Sequence, residues 1–346
     1  MRQKQTIILA IESSCDDTSA AVLKNDTVLS NLTAGQSVHS EYGGVVPELA
    51  SRAHLQNIVP VVDSAIKKAG ISKGEIDAIA FTKGPGLLGS LVVGTSFAKS
   101  MALALDIPLI DVNHMYGHVL AHFIEDGKDK PEFPFLCLTV SGGHTQIVLV
   151  RDALDMEIIG TTIDDAAGEA FDKSAKVIGF DYPGGPLIDK HAQNGNKKAF
   201  QFAKPRVDGF NYSFSGLKTS ILYFIQKQEK DNPDFIKENL DDLCASIQYS
   251  IIEVLMKQLV KAADHYGIKH IAIAGGVSAN SGLRTRINEL GNSKGWKTYI
   301  PKFEYCTDNA AMIGITAMFM FEKGMFTDQK VSAQARVPFN SNGVKL

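Results

Sequence analysis

Two histidines four residues apart, His114 and His118 in the run His-Met-Tyr-Gly-His, carry the most chemical potential in this chain. On a helix, side chains at i and i+4 project from one face, close enough to share a metal ion. Solvated or core histidines are the plainer explanation of such a pair taken alone. Met115 stands where the zinc-protease signature His-Glu-x-x-His needs its glutamate, so proteolysis is disfavoured. A third ligand has to come from elsewhere. Asp308, in Cys-Thr-Asp-Asn-Ala-Ala at the start of a helix, is the candidate, and its alternative role is a helix N-cap, open equally to Thr307 and Asp308.

Glycine-bearing turns form a second group. Ser141-Gly142-Gly143 would bring backbone N–H groups near an anion with no Cβ in the way. Ala274-Gly-Gly-Val-Ser-Ala-Asn280 follows a strand and opens a helix, an arrangement that lets a nucleotide lie against the backbone. Tyr182-Pro-Gly-Gly-Pro186 is a third such loop. Each has a plain-turn reading, but three in one chain favour a nucleotide cleft. Carboxylates lie beside these turns or on one of their own: Glu12, Asp16 and Asp17, then Asp172 and Asp189. Such groups bind ribose hydroxyls, position a metal's waters or act as a base, and the alternative is a solvated turn carboxylate.

The elements that must position these residues repeat. Thr6–Ile11 is an apolar β-branched run that breaks at Glu12–Thr18 and resumes as Ser19–Leu23, while Phe135–Val140 breaks at Ser141–Thr145 and resumes as Gln146–Val150. Each reads as strand, tight polar turn, strand. A separation of about 130 residues is that of a duplicated domain, not a solenoid repeat, with two unrelated hairpins as the alternative. Helical spacing over Val45–Lys68, Leu87–Leu105 and Leu243–Tyr266, the last leading to a strand at His270–Ala274, predicts α/β layers with a partly parallel sheet. Asp126–Pro134 is the best linker, and Asn194–Gly216 is an irregular excursion.

At 346 residues, 45% apolar and 21% charged, the chain suits two globular domains. A net charge of −3 supplies no global field for nucleic acid, so an RNA substrate would need a local basic patch or a partner. Lys197 and Lys198, Lys204 and Arg206, and Arg284 and Arg286 are the local candidates, each also readable as a solvated face. Four dispersed cysteines without a CxxC pair suit reduced thiols or core positions. The apolar run near the N-terminus ends at Glu12, too soon for a signal peptide, and no stretch is expected to approach the roughly 20 apolar residues of a membrane span. A cytoplasmic protein is expected.

Together the motifs resemble the tRNA N6-adenosine threonylcarbamoyltransferases, once misnamed O-sialoglycoprotein endopeptidases, in their bacterial branch, from about Ile8 to Met320. The matching stretches begin with Ile-Glu-Ser-Ser-Cys-Asp-Asp-Thr from Ile11, Tyr-Gly-Gly-Val-Val-Pro-Glu from Tyr42 and Lys-Gly-Pro-Gly-Leu-Leu-Gly-Ser from Lys83. They continue with Asn-His-Met-Tyr-Gly-His, Val-Ser-Gly-Gly-His-Thr, Asp-Asp-Ala-Ala-Gly-Glu-Ala-Phe-Asp-Lys from Asp164, and Tyr-Pro-Gly-Gly-Pro. Phe-Ser-Gly-Leu-Lys-Thr from Phe214, Gly-Gly-Val-Ser-Ala-Asn and Cys-Thr-Asp-Asn-Ala-Ala complete the series. Ser13 replaces the family's usual threonine and keeps its hydroxyl.

The resemblance implies two RNase H-like lobes of the actin, Hsp70 and sugar-kinase class with an interlobe cleft. The lobes would span residues 1–130 and 131–346, with the last helix packing back on the first lobe. It implies that His114, His118 and Asp308 hold iron or zinc, and that Thr139, Val140, Ser141, Gly142, Gly143, Asp172, Gly185, Asp189 and Asn280 contact substrate. On the lobe division, the imidazoles would come from one lobe and the carboxylate from the other. The donor would be threonylcarbamoyl-AMP, and the acceptor the N6 amine of the adenosine 3′ of the anticodon in tRNAs reading codons that begin with A. Asp16 is the first candidate for the base and Glu12 the second. Expected partners are the tRNA anticodon loop, a paralogous non-catalytic subunit and a small ATPase, with no membrane. The rivals are a sugar or acetate kinase of the same fold class, which has no use for the histidine pair, and a non-catalytic scaffold like the family's own paralogue, which lacks it.

Overall fold

Aliphatic and β-branched runs form the strands, and period-3.6 apolar stripes form the helices that cover them. In chain order the elements are β1 (Ile7–Glu12), β2 (Thr18–Lys24), β3 (Thr27–Ala34), α1 (Pro47–Ala69), β4 (Ala78–Gly84), α2 (Leu88–Leu105), β5 (Leu109–Asn113) and α3 (His114–Leu120). There follow β6 (Phe135–Val140), β7 (Thr145–Asp152), β8 (Asp155–Thr161), α4 (Ala167–Val177), α5 (Gly184–Ala192) and α6 (Ser215–Asp231). The chain continues with α7 (Phe235–Glu238), α8 (Leu240–Tyr266), β9 (His270–Ala274), α9 (Ser281–Lys294), β10 (Lys297–Tyr299) and α10 (Ala310–Glu322). The structure, a computed structural model, describes residues 5–36, 42, 44–203, 205 and 207–339.

Two compact units result. One spans Met1–Lys130, Asp152–Met156 and Pro301–Leu346, and the other Pro131–Arg151 and Glu157–Ile300. Their boundary at Lys130 falls inside the expected linker. Each unit holds a five-stranded sheet, ordered β3-β2-β1-β4-β5 in the first and β10-β9-β6-β7-β8 in the second. Read from the other edge, the second order is the first with five added to every number. β1 pairs antiparallel with β2 and parallel with β4, just as β6 pairs antiparallel with β7 and parallel with β9. The two hairpins are therefore equivalent parts of a duplicated frame.

In the first unit, Leu9, Ile11, Ile79 and Phe81 pack against Ile58 and Val62 of α1 and Ala98 and Ala102 of α2. α10 packs across β1 and β2, where Gly314 admits Leu23: a Cβ there would lie 2.3 Å from Leu23 Cδ1. In the second unit α8 is the buried centre of the core. Contrary to expectation, two helices reach the length and mean hydropathy of a membrane span, Leu88–Leu105 at 1.4 and Leu240–Tyr266 at 1.2. α8 spends that apolarity inside its unit, and α2 packs on β4 and α1.

Gly275, which follows β9, has φ +86° and sits where a Cβ would be 2.5 Å from the Val140 carbonyl oxygen. A backbone oxygen cannot rotate away, so Gly275→Ala should lower stability by about 1–3 kcal/mol. A lower urea midpoint with an unchanged slope is the expected reading.

Candidate active site

β1, β4 and β5 run parallel, and their C-terminal ends bring Glu12, Thr82 and His114 to one end of the first sheet. Glu12 is fully buried. One of its oxygens accepts from the Ser14 N–H, and the other from the Thr82 hydroxyl and from His114 Nδ1 at 3.0 Å. Ser14 Oγ also lies 3.1 Å from His114 Nδ1. Glu12, the second candidate base, thus accepts hydrogen bonds on both oxygens.

His114 opens α3, whose N-cap Asn113 accepts from the Met115 N–H at 2.9 Å. Gly117 lies between the two histidines, and a Cβ there would meet Ile313 Cδ1 and Met312 Cγ at 3.1 Å, so glycine lets α3 seat closely on α10. The N-cap of α10 is Asn309, accepting from the Met312 N–H at 3.1 Å. Neither Thr307 nor Asp308 caps this helix, so Asp308 is free to turn to the imidazoles. Its Oδ1 lies 3.4 Å from His114 Nε2 and 3.2 Å from His118 Nε2. All three residues belong to the first unit. The carboxylate thus does not come from the other lobe: the chain returns to the first sheet after residue 300, where the Ser19 hydroxyl and Asn31 amide oxygen receive the first N–H groups of α10.

Burial alone would discharge these groups, but mutual attraction outweighs it. Burial works against the His114 proton, yet Asp308 and Glu12 hold its pKa well above the ordinary imidazole value. Burial likewise opposes ionisation of Asp308 and Glu12, and the charges and hydrogen bonds of the histidines, mainly His114, hold both carboxyls below their usual range. Among the described residues Asp17 has no such partner. Burial, then the charges of Asp16, Asp308 and Glu12, push its carboxyl up to about 7.

This donor set fits a divalent metal. The three ligand atoms lie within 4.8 Å of one another. Metal–nitrogen and metal–oxygen bonds of about 2.1 Å give a tetrahedral edge of about 3.4 Å, close to both histidine–aspartate separations. Glu12 on the far nitrogen of His114 makes the carboxylate–histidine relay that orients metal-binding imidazoles. His118 Nδ1 is buried without a hydrogen-bond partner among the described residues, so there only His114 of the pair is held this way.

The remaining expected site residues lie in the second unit. Thr139 and Val140 are buried at the end of β6 and deliver the Ser141–Thr145 turn. Gly142 and Gly143 are exposed, and a Cβ on either would meet nothing within 4 Å among the described residues, so their packing does not demand glycine there. Asp172 accepts from the N–H groups of Gly184 and Gly185 at 2.9 and 3.1 Å, and burial raises its pKa against those bonds. Asp189 accepts from both the N–H and the hydroxyl of Ser281. Asn280 caps α9 through the Leu283 N–H and donates to Gln248 Oε1 at 2.6 Å.

The basic candidates divide. Arg286 is paired with Glu253 and Glu289, Arg284 Nε donates to the Ser278 carbonyl, and Lys197 lies over the Tyr249 ring. Lys204 and Arg206 lie outside the described residues. Thr82 went unread in the sequence, where the signal is a hydroxyl closing the apolar run Ala-Ile-Ala-Phe before the glycine–proline loop.

In metal-free protein, Asp17 holds its proton more tightly folded than unfolded. Its contribution to stability is complete below the ordinary aspartate value of 3.8 and is lost as pH rises through about 7. Asp17→Asn should therefore melt higher than the parent at pH 8, with the gap closing towards pH 4, as followed by thermal denaturation in chelator.

A sequence profile of the family described as tRNA N6-adenosine threonylcarbamoyltransferase matches residues 27–315. A protein of that name from Riemerella anatipestifer is 64% identical over 338 residues, covering 97% of this chain and 99% of its own. Another, from Christiangramia forsetii, is 62% identical over 340 residues, covering 98% and 100%. Among solved structures, full-length HypF in a phosphate- and nucleotide-bound form superposes with a TM-score of 0.62 at 15% identity. The superposition covers 94% of this chain and 48% of HypF, a likeness of fold. With a profile spanning most of its length and near-full-length relatives at such identity, the chain belongs to the tRNA N6-adenosine threonylcarbamoyltransferase family.

Proposed function

We propose that the chain transfers a threonylcarbamoyl group from threonylcarbamoyl-AMP to the N6 amine of the adenosine 3′ of the anticodon, in tRNAs reading codons that begin with A, and releases AMP. The observation that carries this is the convergence of His114, His118 and Asp308, with Glu12 behind His114, in a member of this family. The three ligands would hold one iron or zinc ion. When bound, such an ion polarises a carbonyl oxygen or neutralises a phosphate.

The chain's own residues divide the remaining work. The exocyclic amine is a poor nucleophile because its lone pair is delocalised into the ring. As it attacks the carbamoyl carbon, its proton passes to Asp16, and the bond from that carbon to the phosphate oxygen breaks as AMP leaves. Glu12 keeps the Nδ1 hydrogen of His114 and so presents Nε2 to the ion. Gly142 and Gly143 leave bare backbone for the adenylate, with Thr139, Val140, Ser141, Asp172, Gly185, Asp189 and Asn280 forming the rest of its surface. An acceptor base in a single-stranded loop is recognised by splaying, not by groove reading. The net charge of −3 leaves part of tRNA binding to the paralogous subunit and the small ATPase in the cytoplasm.

His114→Ala should lose bound metal and at least about tenfold in transfer rate, equivalent to about 1.4 kcal/mol. Parental turnover in a variant that binds no metal would end the metal reading. Glu12→Gln should retain the ligands but weaken metal affinity by about 10–100-fold, measured by competition with a chelator. Asp16→Asn should keep its metal and lose about 10²–10⁴ in turnover. AMP release that requires both the adenylate and tRNA separates this activity from a kinase.

A further inference from the structure

His54 on α1 is fully buried, at a position that continues the core face Ala50, His54, Ile58, Val62. A leucine would fill that face equally well, so packing alone does not account for an imidazole. Its Nε2 lies 2.9 Å from the Cys15 carbonyl oxygen and its Nδ1 2.7 Å from the Thr18 hydroxyl. A carbonyl only accepts, so Nε2 carries a hydrogen and donates it to Cys15, while Nδ1 shares a second hydrogen bond with the Thr18 hydroxyl. One ring thus fastens both ends of the segment that carries Asp16 and Asp17. From another side, the Leu87 N–H donates to the Ser14 carbonyl at 2.7 Å, and a Cβ at Gly86 would come within 2.4 Å of that oxygen. The turn is tied at Ser14, Cys15 and Thr18, and Asp16 sits at its half-buried apex.

We propose that His54 is a positioning residue for the transfer reaction, clamping Cys15 and Thr18 so that the turn presents Asp16 to the acceptor amine. This rests on the reading of Asp16 as the base. The clamp acts on the backbone of the turn and on a hydroxyl at the start of β2, so its loss displaces Asp16 while the metal ligands stay in place.

The test is steady-state transfer by the full chain with its partner subunits, varying tRNA and adenylate, with bound metal measured on each variant. His54→Leu should lower kcat on the order of tenfold to a hundredfold, the effect of misplacing a reacting group by about 1 Å. KM should stay within about twofold and metal content unchanged. His54→Gln, whose amide N–H reaches the Cys15 carbonyl, should recover most of the loss. Thr18→Val removes only the hydroxyl and decides the matter if His54→Leu does not fold; it should lower kcat in the same direction. In an Asp16→Asn background, His54→Leu should cause no further loss. Parental kcat in both His54→Leu and Thr18→Val, or an equal further loss in the Asp16→Asn background, overturns the clamp. Full activity of Asp16→Asn alone overturns the reading of Asp16 instead.

Discussion

Four carboxylates crowd one end of the first sheet, and their repulsion is the constraint to which the rest of the unit answers. Asp308 and Glu12 are kept ionised by His114, which lies between them with one ring nitrogen on each. Asp17, facing the same negative charges with no cation beside it among the described residues, holds its proton to about 7. A pocket of this kind relaxes when a positive charge enters, and it already contains the imidazole nitrogens that would ligate one. The imidazolium proton and a divalent ion would occupy the same place, which would couple metal binding to proton release.

Holding these charges together is a packing problem, solved by small residues and by caps. Gly117 lets α3 lie close on α10, Gly314 lets α10 lie on Leu23, and Gly86 lets the loop after β4 touch Ser14. Asn309 takes over the capping of α10, and that single substitution of roles frees Asp308 for the histidines. Because the three candidate ligands lie on α3 and just before α10, which pack on each other, their arrangement is as rigid as that helix pair.

What could be read from the sequence was what depends on local pattern. Both hairpins, the histidine helix and the αL glycines that end α1 and α8 follow from periodicity and turn chemistry over a few residues. What escaped depends on contacts distant in sequence. Asp308 joins the first unit because α10 buries its apolar residues against β1 and β2, strands nearly 300 positions away. Glu12 reads as a turn carboxylate, and only the arrival of Thr82 and His114 makes it a buried orienting group. His54 falls on the core stripe of α1, where a lone polar residue is a visible anomaly, but its partners across the gap to Cys15 and Thr18 are not.

The duplication gives a physical reason for the division of labour. β1 and β6 occupy equivalent central places, and each ends in a tight turn, one carrying Asp16 and Asp17 and the other Gly142 and Gly143. The first copy concentrates negative charge and suits a cation and a proton acceptor. The second removes side chains at a strand end and suits an anionic nucleotide, as the proposed adenylate requires. β5 leads into the histidine helix, and β10, its counterpart, leads towards the segment carrying Asp308. Diverging the turns of a repeated frame thus yields opposite electrostatics without a new fold.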